Sequence, residues 1–281
     1  MIKDKKFLIV GLGLLGGSIA LGLKKWNHTV FAIDIDEKTI DYALKNHIID
    51  EGSTTCNPEL LNQADVIISG LYPTMIVDWI QENQQYFKEN ALITDVTGVK
   101  RAIVYKIQEI LREDLEFIGA HPMAGKEVSG VYYSDPSIFL PANLILTPTS
   151  KNTKEAIDFM IEFGKELRFN NICELTVEKH DQMIGYLSQL THVIAVSLMN
   201  TNDSTHLKEY TGDSFRDLTR IAKINENLWT ELFLLNKENL VHEIEQFVDE
   251  VNDFKEALIN EDTDKMKEKF ITSTKRRKYF D

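Results

Sequence analysis

The chain has 281 residues, 43% of them apolar and 27% charged, which is typical of a globular protein of one large or two ordinary domains. Its formal net charge of −13 argues against a nucleic-acid partner, because nucleic-acid phosphates require a basic face. Cys56 and Cys173 fit neither a metal-ligand spacing nor a disulfide framework, so we expect reduced cysteines, no metal site and a cytoplasmic location. Residues 7–23 are uncharged and follow lysines, as in a signal peptide, but their five glycines favour a folded motif. We therefore expect neither secretion nor a membrane span.

A glycine-rich turn follows the first apolar segment. Residues 7–10 are typical of a buried central strand, and Gly11, Gly13 and Gly16 then form a G-x-G-x-x-G pattern that opens a helix. In such a pattern the first glycine permits a sharp turn, the second lets backbone approach a pyrophosphate, and the third lets the helix pack closely on the strand. The helix N-terminus presents free N–H groups to the phosphates. These features predict a dinucleotide site.

The second predicted strand, residues 30–34, ends in an acid. Asp34 stands where a carboxylate accepts a hydrogen bond from the adenosine ribose 2′-hydroxyl and repels a 2′-phosphate, so the sequence favours NAD over NADP. The alternative is that Asp34 or Asp36 only caps the next helix. The predicted cofactor-binding residues are Gly11, Gly13, Leu14, Leu15, Gly16, Asp34 and Ser69.

Strand and helix patterns alternate as far as residue 176. The further predicted strands are 65–69, 91–95, 116–120, 143–147 and 171–176. The predicted helices between them are 37–45, 74–87, 99–111 and 154–167. This alternation predicts an α/β fold with a doubly wound parallel sheet, a Rossmann-type domain over residues 1–176. Strand signals then stop, so we predict an all-α domain over residues 177–281.

The predicted helix 180–199 is apolar almost all round, which is typical of a buried helix. Asp181, Gly185, Ser188 and His192 recur on it at helical spacing and form one polar stripe. Buried polar groups need partners or a cavity, so this stripe is a candidate pocket wall. The alternative is a core His192 that bonds Ser188 one turn earlier.

Two features mark the last third of the chain. Ser214 and Asp217 fit a capping box that opens a helix, and for Arg220 on that helix a surface pair with Asp217 is the simplest interpretation. Farther on, apolar residues step by four and three as in a coiled coil, which predicts packing inside the domain or across a dimer. These residues are Leu240, Ile244, Phe247, Val251, Phe254 and Leu258.

His121 directly follows a predicted strand and precedes a proline. In an open parallel sheet, ligands bind at the carboxyl ends of the strands, where residues 69–73, 95–100 and 121–125 lie. An imidazole there can take the proton from a substrate hydroxyl during hydride transfer. The alternative is a histidine that only bonds the loop backbone.

Four segments together resemble the prephenate/arogenate dehydrogenase family of tyrosine biosynthesis, over nearly the whole chain. They are GLGLLGGS at residues 11–18, HPMAGKEVSG at 121–130, HDQMIGYLSQLTH at 180–192 and SFRDLTRIA at 214–222. The resemblance implies a Rossmann domain followed by a helical domain that forms a homodimer, without a separate regulatory domain. It also implies the NAD-dependent oxidative decarboxylation of prephenate to 4-hydroxyphenylpyruvate.

The resemblance assigns residue roles as well. His121 matches the family's catalytic histidine, which bonds the ring 4-hydroxyl and takes its proton, and Arg220 matches the arginine that binds a substrate carboxylate. His192 matches a histidine that orients the substrate, with Ser188 beside it on the polar stripe. The acids of an ionic network around the pocket match Glu127 and Asp217.

One position departs from the family pattern. Many members read D-x-G-S-V-K where this chain reads Asp95-Val-Thr-Gly-Val-Lys100. Gly98 therefore stands where the family has a serine that assists the ring hydroxyl. We expect either Thr97 or a water molecule to supply that hydroxyl.

Other functions remain open on sequence grounds. Arogenate differs from prephenate by one keto-for-amino change, which the motifs do not distinguish. A hydroxy-acid dehydrogenase or imine reductase with a helical dimer domain has the same architecture, but such enzymes usually use a helical Lys or Asn as proton donor. A non-catalytic NAD-sensing protein that binds a partner through the apolar helix is the third alternative.

Overall fold

An eight-stranded sheet forms the centre of the first of two compact units, which span Met1–Asn236 and Lys237–Asp281 in the computed structural model. The structure describes residue 2 and residues 5–280. The strands are β1 Lys6–Val10, β2 Thr29–Ile33, β3 Glu51–Ser53, β4 Val66–Ser69, β5 Leu92–Asp95, β6 Glu116–Pro122, β7 Asn143–Thr147 and β8 Asn171–Glu174. Their spatial order is β3-β2-β1-β4-β5-β6-β7-β8.

The first strand occupies the middle of the sheet because its side chains are apolar on both faces. Phe7 lies opposite Val30 of β2 and Val66 of β4, and both pairings are parallel. Phe7 is completely buried, as expected for a strand covered by helices on both sides. The strand order reverses at β1, and a crevice opens at such a point outside the carboxyl ends of the strands. Val10 and Ser69 lie opposite each other at that edge.

The sheet is parallel except at the pairing of β6 with β7, so β7 and β8 run opposite to the other six strands. β7 pairs with β6 in the antiparallel sense, with His121 opposite Ile145, whereas β8 pairs with β7 in parallel. The segment between β6 and β7 contains only the short turns Val131–Tyr133 and Pro136–Phe139, so the chain returns along the same edge instead of crossing over the sheet. An apolar strand pattern does not reveal strand direction, which is why the sequence missed this reversal.

Helices cover both faces of the sheet and continue beyond β8. In the first unit they are α1 Leu14–Lys25, α2 Glu37–Lys45, α3 Pro58–Gln63, α4 Pro73–Asn83, α5 Val104–Ile110, α6 Lys154–Glu166, α7 Val177–Ile184, α8 Thr191–Asn200, α9 Leu207–Tyr210, α10 Asp213–Thr219 and α11 Glu226–Leu235.

Several boundaries differ from the sequence prediction. β3 and α3 were not predicted, because three residues without an apolar pattern and a six-residue helix show no periodicity. α5 begins five residues later than expected, after a buried loop described below. The predicted capping box at Ser214 is wrong, since α10 begins at Asp213 after Gly212 and has no side-chain cap.

The predicted long helix is continuous from α7 to α8, but its middle, Gly185–Leu190, is a π-helical turn. Such wide turns are rare and occur often at functional sites. The buried Gln189 side chain donates to the carbonyl of Leu232 at 3.0 Å and accepts from Asn236 Nδ2 at 2.7 Å, so α11 stabilises this turn. The sequence predicted that this long helix is buried, but its Leu187 and Met199 side chains are exposed within the chain.

Helix α1 packs unusually close to the segment that follows β6. A Cβ atom at Gly17 would lie 2.0 Å from Ser134 Oγ, so a larger residue there would displace Ser134. The adjacent Ser18 hydroxyl accepts a hydrogen bond from the N–H of Asp135 at 2.9 Å. The glycine motif thus contacts the loop that follows β6, which lies 117 residues later in the sequence.

The second unit is a helical hairpin of α12 Lys237–Ile259 and α13 Thr263–Arg277. Phe254 and Phe270 pack ring to ring with centroids 5.9 Å apart, and Lys269 pairs with Glu250 and Asp253 at 2.7 Å. Phe270 is nevertheless exposed within the chain, and so are other apolar residues of the hairpin, among them Val241, Phe247, Val248, Val251, Leu258, Ile259 and Ile271.

Candidate active site

The predicted dinucleotide-binding residues meet at the carboxyl edge of β1, β2 and β4. Gly11 adopts a left-handed φ of +88°, and a Cβ atom at Gly16 would lie 2.3 Å from the Gly11 carbonyl oxygen. Both positions therefore require glycine for the turn that joins β1 to α1. A Cβ atom at Gly13 would meet nothing within 4 Å, so open space faces the start of the helix.

This open space fits a pyrophosphate. The N-terminus of α1 has no side-chain cap, so the backbone N–H groups at Leu14 and Leu15 remain available for phosphate oxygens. Ser69 ends β4 at the same edge, is buried, and accepts the N–H of Leu71 at 3.4 Å.

The carboxylate of Asp34 is fixed just beyond β2. It accepts the N–H of Leu12 at 2.7 Å through one oxygen and the N–H of Asp36 at 3.0 Å through the other. Each oxygen retains a lone pair for a ribose hydroxyl. The helix cap is a different residue, Asp36, whose side chain accepts from the N–H of Lys38. Asp34 is therefore not the cap of α2, and its carboxylate remains available to a ribose. The residues at this edge fit NAD.

His121 lies near the end of β6, with its ring against the first turn of α7. His121 Nδ1 is 2.9 Å from His180 Nε2, and His180 Nδ1 is 2.7 Å from a carboxylate oxygen of Asp181. His180 and Asp181 are buried, whereas His121 is only partly buried. Burial, and then the neighbouring His180 and Lys100, lower the pKa of His121 well below its usual range of about 6.5. A neutral imidazole is the form that can accept a proton.

A buried ion pair shapes the loop beside His121. Lys100 Nζ contacts Asp95 Oδ2, and both side chains are fully buried. The ammonium group also donates to the Thr97 carbonyl at 2.9 Å, and Asp95 accepts the N–H of Ala120 next to His121 at 3.2 Å. Burial lowers the pKa of Lys100, and the Asp95 carboxylate opposes that shift. This pair ties residues 95–100 to β6 and explains why α5 starts late.

Thr97 and Gly98 have different surroundings in this loop. The Thr97 hydroxyl is buried against Asp95 and lies 3.2 Å from Lys100 Nζ, so it belongs to the ion-pair cluster. The hydroxyl that was expected to assist the substrate is therefore already engaged by Asp95 and Lys100. A Cβ atom at Gly98 would lie 3.9 Å from His121 Cε1 and 3.3 Å from Leu232 Cδ2. The position where the family has serine thus lies beside His121.

The remaining predicted residues lie along the π-helical turn and on α10. The ring of His192 stacks on that of Trp229 with centroids 3.7 Å apart, and its Nδ1 is 2.9 Å from the Ser188 carbonyl. Burial lowers the pKa of His192. The sequence offered a contact between His192 and Ser188 as the alternative to a pocket role. That contact is present, but it is made by the backbone carbonyl of Ser188 and not by its hydroxyl.

Arg220 and Asp217 do not form the local pair anticipated from spacing. Arg220 Nη1 instead pairs with Glu127, which lies 93 residues earlier in the loop after β6. Arg220 is largely exposed, and Asp217 is exposed on α10. The ion pair brings together two of the residues implied by the family resemblance. It also places a guanidinium group, which binds carboxylates specifically, beside the loop that follows His121.

Sequence reasoning missed two residues of this site, His180 and Trp229, and named Asp181 only as part of the polar stripe. The contact of His180 with His121 depends on how α7 docks on β6. Trp229 carried no sequence signal, since a lone tryptophan on an apolar helix is usually core. Across residues 2 and 5–280, no three His, Cys, Asp or Glu side chains cluster closely enough to hold a metal ion. The described helices include none with the length and apolar character needed to cross a membrane.

Known proteins show the same architecture. A solved structure of prephenate dehydrogenase from Aquifex aeolicus, in complex with hydroxyphenyl propionate and NAD+, superposes with a TM-score of 0.90 at 30% identity and covers 100% of this chain and 99% of that one. Prephenate dehydrogenase from Bacillus subtilis (strain 168) is 31% identical over 280 residues, covering 97% of this chain and 75% of that protein. Cyclohexadienyl dehydrogenase from Zymomonas mobilis is 26% identical and covers 99% of this chain and 96% of that protein.

The doubly wound sheet, its glycine turn and the histidine at the end of β6 define an NAD-dependent dehydrogenase. The family model for the prephenate dehydrogenase nucleotide-binding domain matches residues 19–171, and that for the prephenate dehydrogenase dimerization domain matches residues 176–272. The chain belongs to the prephenate dehydrogenase family.

Proposed function

We propose that this enzyme oxidises prephenate with NAD and releases carbon dioxide and 4-hydroxyphenylpyruvate. The observation that carries the proposal is the position of His121 at the cofactor edge, with Nδ1 engaged by His180 and the ring only partly buried. The Aquifex aeolicus relative, which binds hydroxyphenyl propionate, supports a substrate with an oxygen-bearing six-membered ring and a carboxylated side chain. The B. subtilis relative, named for prephenate, supports the same choice.

His121 acts as the general base in this proposal. The ring carbon that bears the hydroxyl loses hydride, for which bound NAD supplies the acceptor. His121 takes the hydroxyl proton in the same step, because otherwise a protonated ketone would develop. The lowered pKa of His121 keeps the imidazole neutral and ready at pH 7. The resulting dienone is the oxidised form of the ring.

Loss of carbon dioxide then completes the reaction. The bond between the quaternary ring carbon and its carboxylate breaks, and the electron pair enters the ring and makes it aromatic. The former ketone oxygen becomes a phenolate and takes back the proton from His121. The base is thereby restored, and the ring reaction leaves no net proton on the protein.

Arg220 is the proposed ligand of a substrate carboxylate. The protein carries a formal net charge of −13, so a dianionic substrate needs a local cation. Arg220 is exposed enough to meet a ligand, and its partner Glu127 holds it near the loop that follows His121. His192 and the stacked Trp229 are the proposed wall on the side of the π-helical turn.

Arogenate is the second candidate substrate, which the Zymomonas mobilis relative supports by its name. The test measures NADH formation with prephenate or arogenate, each with NAD or NADP. A kcat/KM at least about tenfold higher for prephenate with NAD supports the proposal, a difference of about 1.4 kcal/mol in transition-state binding. Preference for arogenate would select the alternative, and turnover of neither substrate would favour a different dehydrogenase or a non-catalytic NAD sensor.

We also propose a homodimer. The match of residues 176–272 to the family's dimerization domain supports it, as do the exposed apolar residues of the α12–α13 hairpin. Light scattering after size exclusion measures the mass directly. A mass of one 32.3 kDa chain at micromolar concentration would contradict the proposal.

A further inference from the structure

The contacts behind His121 form a chain whose proton positions follow from chemistry. Asp181 accepts the backbone N–H of Lys100 through Oδ1 and that of Arg101 through Oδ2, both at 2.9 Å. These bonds fix the carboxylate in place. An ionised carboxylate only accepts hydrogen bonds, so the proton between it and His180 must lie on His180 Nδ1.

The next link follows from the state of His180. This ring is fully buried, and burial together with the nearby Lys100 charge outweighs Asp181 and lowers its pKa. A neutral His180 that carries its proton on Nδ1 has a bare Nε2. The 2.9 Å contact with His121 is then a hydrogen bond that His121 Nδ1–H donates to His180 Nε2.

We propose that His180 and Asp181 are positioning residues that hold His121 in the Nδ1–H tautomer, which leaves His121 Nε2 bare as the base. This inference rests on the function proposed above and goes beyond it by assigning the proton to an atom. If His180 instead donated to His121, the proton of His121 would sit on Nε2, and that ring could not accept the substrate proton. The orientation of the chain therefore decides whether His121 is a base.

The same chain stabilises the proton once it is taken. The two imidazoles of His121 and His180 face each other. The charged side chains around this pair are those of Asp95, Lys100 and Asp181. Lys100 and Asp95 balance each other, so Asp181 is the carboxylate left over. A positive charge on His121 is thus linked to an anion through one intervening ring.

Two substitutions at His180 separate the acceptor from the bulk of the ring. Gln can place its carbonyl oxygen near the position of Nε2 and accept from His121 Nδ1–H, whereas Leu fills similar space without an acceptor. A matched control is His47→Asn, because His47 is exposed and has φ of +55°, a conformation that Asn tolerates well. The control should leave both measurements below unchanged.

The first measurement is nitrogen NMR of the full-length protein with ¹⁵N-labelled histidine, with the His121 signals identified through His121→Asn. We expect a protonated Nδ1 and a bare Nε2 in the wild type and in His180→Gln, and a shift toward the Nε2–H form in His180→Leu. A wild-type proton on Nε2, or an unchanged tautomer in His180→Leu, would overturn the proposal. This readout needs no turnover, so it decides the tautomer even if neither prephenate nor arogenate is a substrate.

The second measurement is kcat at saturating substrate and NAD. His180→Leu should lower kcat by about 10²-fold, within the usual share of general-base catalysis, while KM changes little, and His180→Gln should recover most of that loss. Equal losses in both variants would count against an acceptor role. If His180→Leu does not fold, the wild-type and His180→Gln spectra still decide.

Discussion

His121 and His180 are 59 residues apart in sequence, yet their ring nitrogens lie 2.9 Å from each other. The contact joins the end of β6, where the sheet presents its carboxyl edge, to the start of α7, where the helical part of the first unit begins. The planes of the two rings are inclined by 57°, so the rings meet through nitrogen atoms and do not stack. The position of the proposed base therefore depends on the docking of a helix that follows the sheet.

The pH dependence of kcat/KM tests the base directly. Because its pKa lies well below 6.5, His121 is neutral over most of the working range, and activity should rise with pH along an acid limb below 6.5 and be flat near pH 7. His121→Asn should lower kcat by about 10²–10⁴-fold and leave NAD affinity nearly unchanged. Near-normal kcat with the same acid limb would place the base elsewhere, with His192 the next candidate.

Asp34 should determine the choice of cofactor. Asp34→Ser removes a charged acceptor for the ribose and the repulsion of a 2′-phosphate, so KM for NAD should rise by about 10–100-fold and NADP should be used more readily. Asp36→Ser is the matched control, since serine preserves the cap of α2 and Asp36 contacts Lys38 and Thr39. Equal use of both cofactors by the wild type would refute the assignment.

Arg220 should contribute to substrate binding and not to cofactor binding. A hydrogen bond between charged groups contributes about 1.5–3 kcal/mol, so Arg220→Ala should raise the substrate KM by about tenfold to a hundredfold. Arg216→Ala is the control, because Arg216 is exposed four residues earlier and pairs with Asp213. The measurement is KM for substrate and for NAD in each variant. An unchanged substrate KM would leave Arg220 as a surface partner of Glu127 alone.

Gly98 offers a test of crowding beside His121. In Gly98→Ser the new Cβ atom would lie 3.3 Å from Leu232, closer than most such contacts, so the variant should lose about 1 kcal/mol or more of stability. Leu232→Val in the same chain should recover part of the loss by giving up a methylene group. Thermal unfolding of the single and double variants decides. Additive destabilisation would show that Leu232 is not what crowds the site.

Stability itself should fall as pH drops below about 6.5. Burial holds the pKa of His121 and of His180 below the unfolded value of about 6.5, so the unfolded chain binds more protons in that window. The free energy of unfolding should then decrease by up to about 1.4 kcal/mol per pH unit for each histidine. Urea midpoints at pH 7.5 and 5.5, at one protein concentration, test this. His180→Gln should lose less than the wild type, and a midpoint independent of pH would contradict the expectation.

The sequence predicted those parts of the site that local order determines. Gly11 and Asp34 directly follow strands, Gly13 lies two residues after Gly11, and His121 lies at the end of β6. The sheet topology brings these strand ends together, so their positions followed from pattern alone. The partner of Arg220 did not, because a nearby Asp217 satisfies the same charge rule that Glu127 satisfies across 93 residues. Sequence spacing alone cannot tell whether an arginine pairs with an acid on its own helix or with a distant acid that the fold brings close.

The same limit explains the other differences. An apolar run such as β7 has the same pattern whether it runs with or against its neighbour, so only the connection before it determines the direction. The late start of α5 depends on the buried contact between Asp95 and Lys100, which helical periodicity does not report. The π-helical turn depends on Gln189 finding Leu232 and Asn236, both more than forty residues away.

The tight fit at Gly17 gives the GLGLLGGS motif a second role. Its first glycines make the turn toward the pyrophosphate, but Gly17 and Ser18 contact Ser134 and Asp135, in the segment that also contains Glu127. A larger residue at position 17 would push that segment outward and disturb Arg220 through its ion pair. Such a variant would lie inside a nucleotide-binding fingerprint and yet show its main defect in substrate affinity. A genetic screen would therefore misread it as a cofactor mutant.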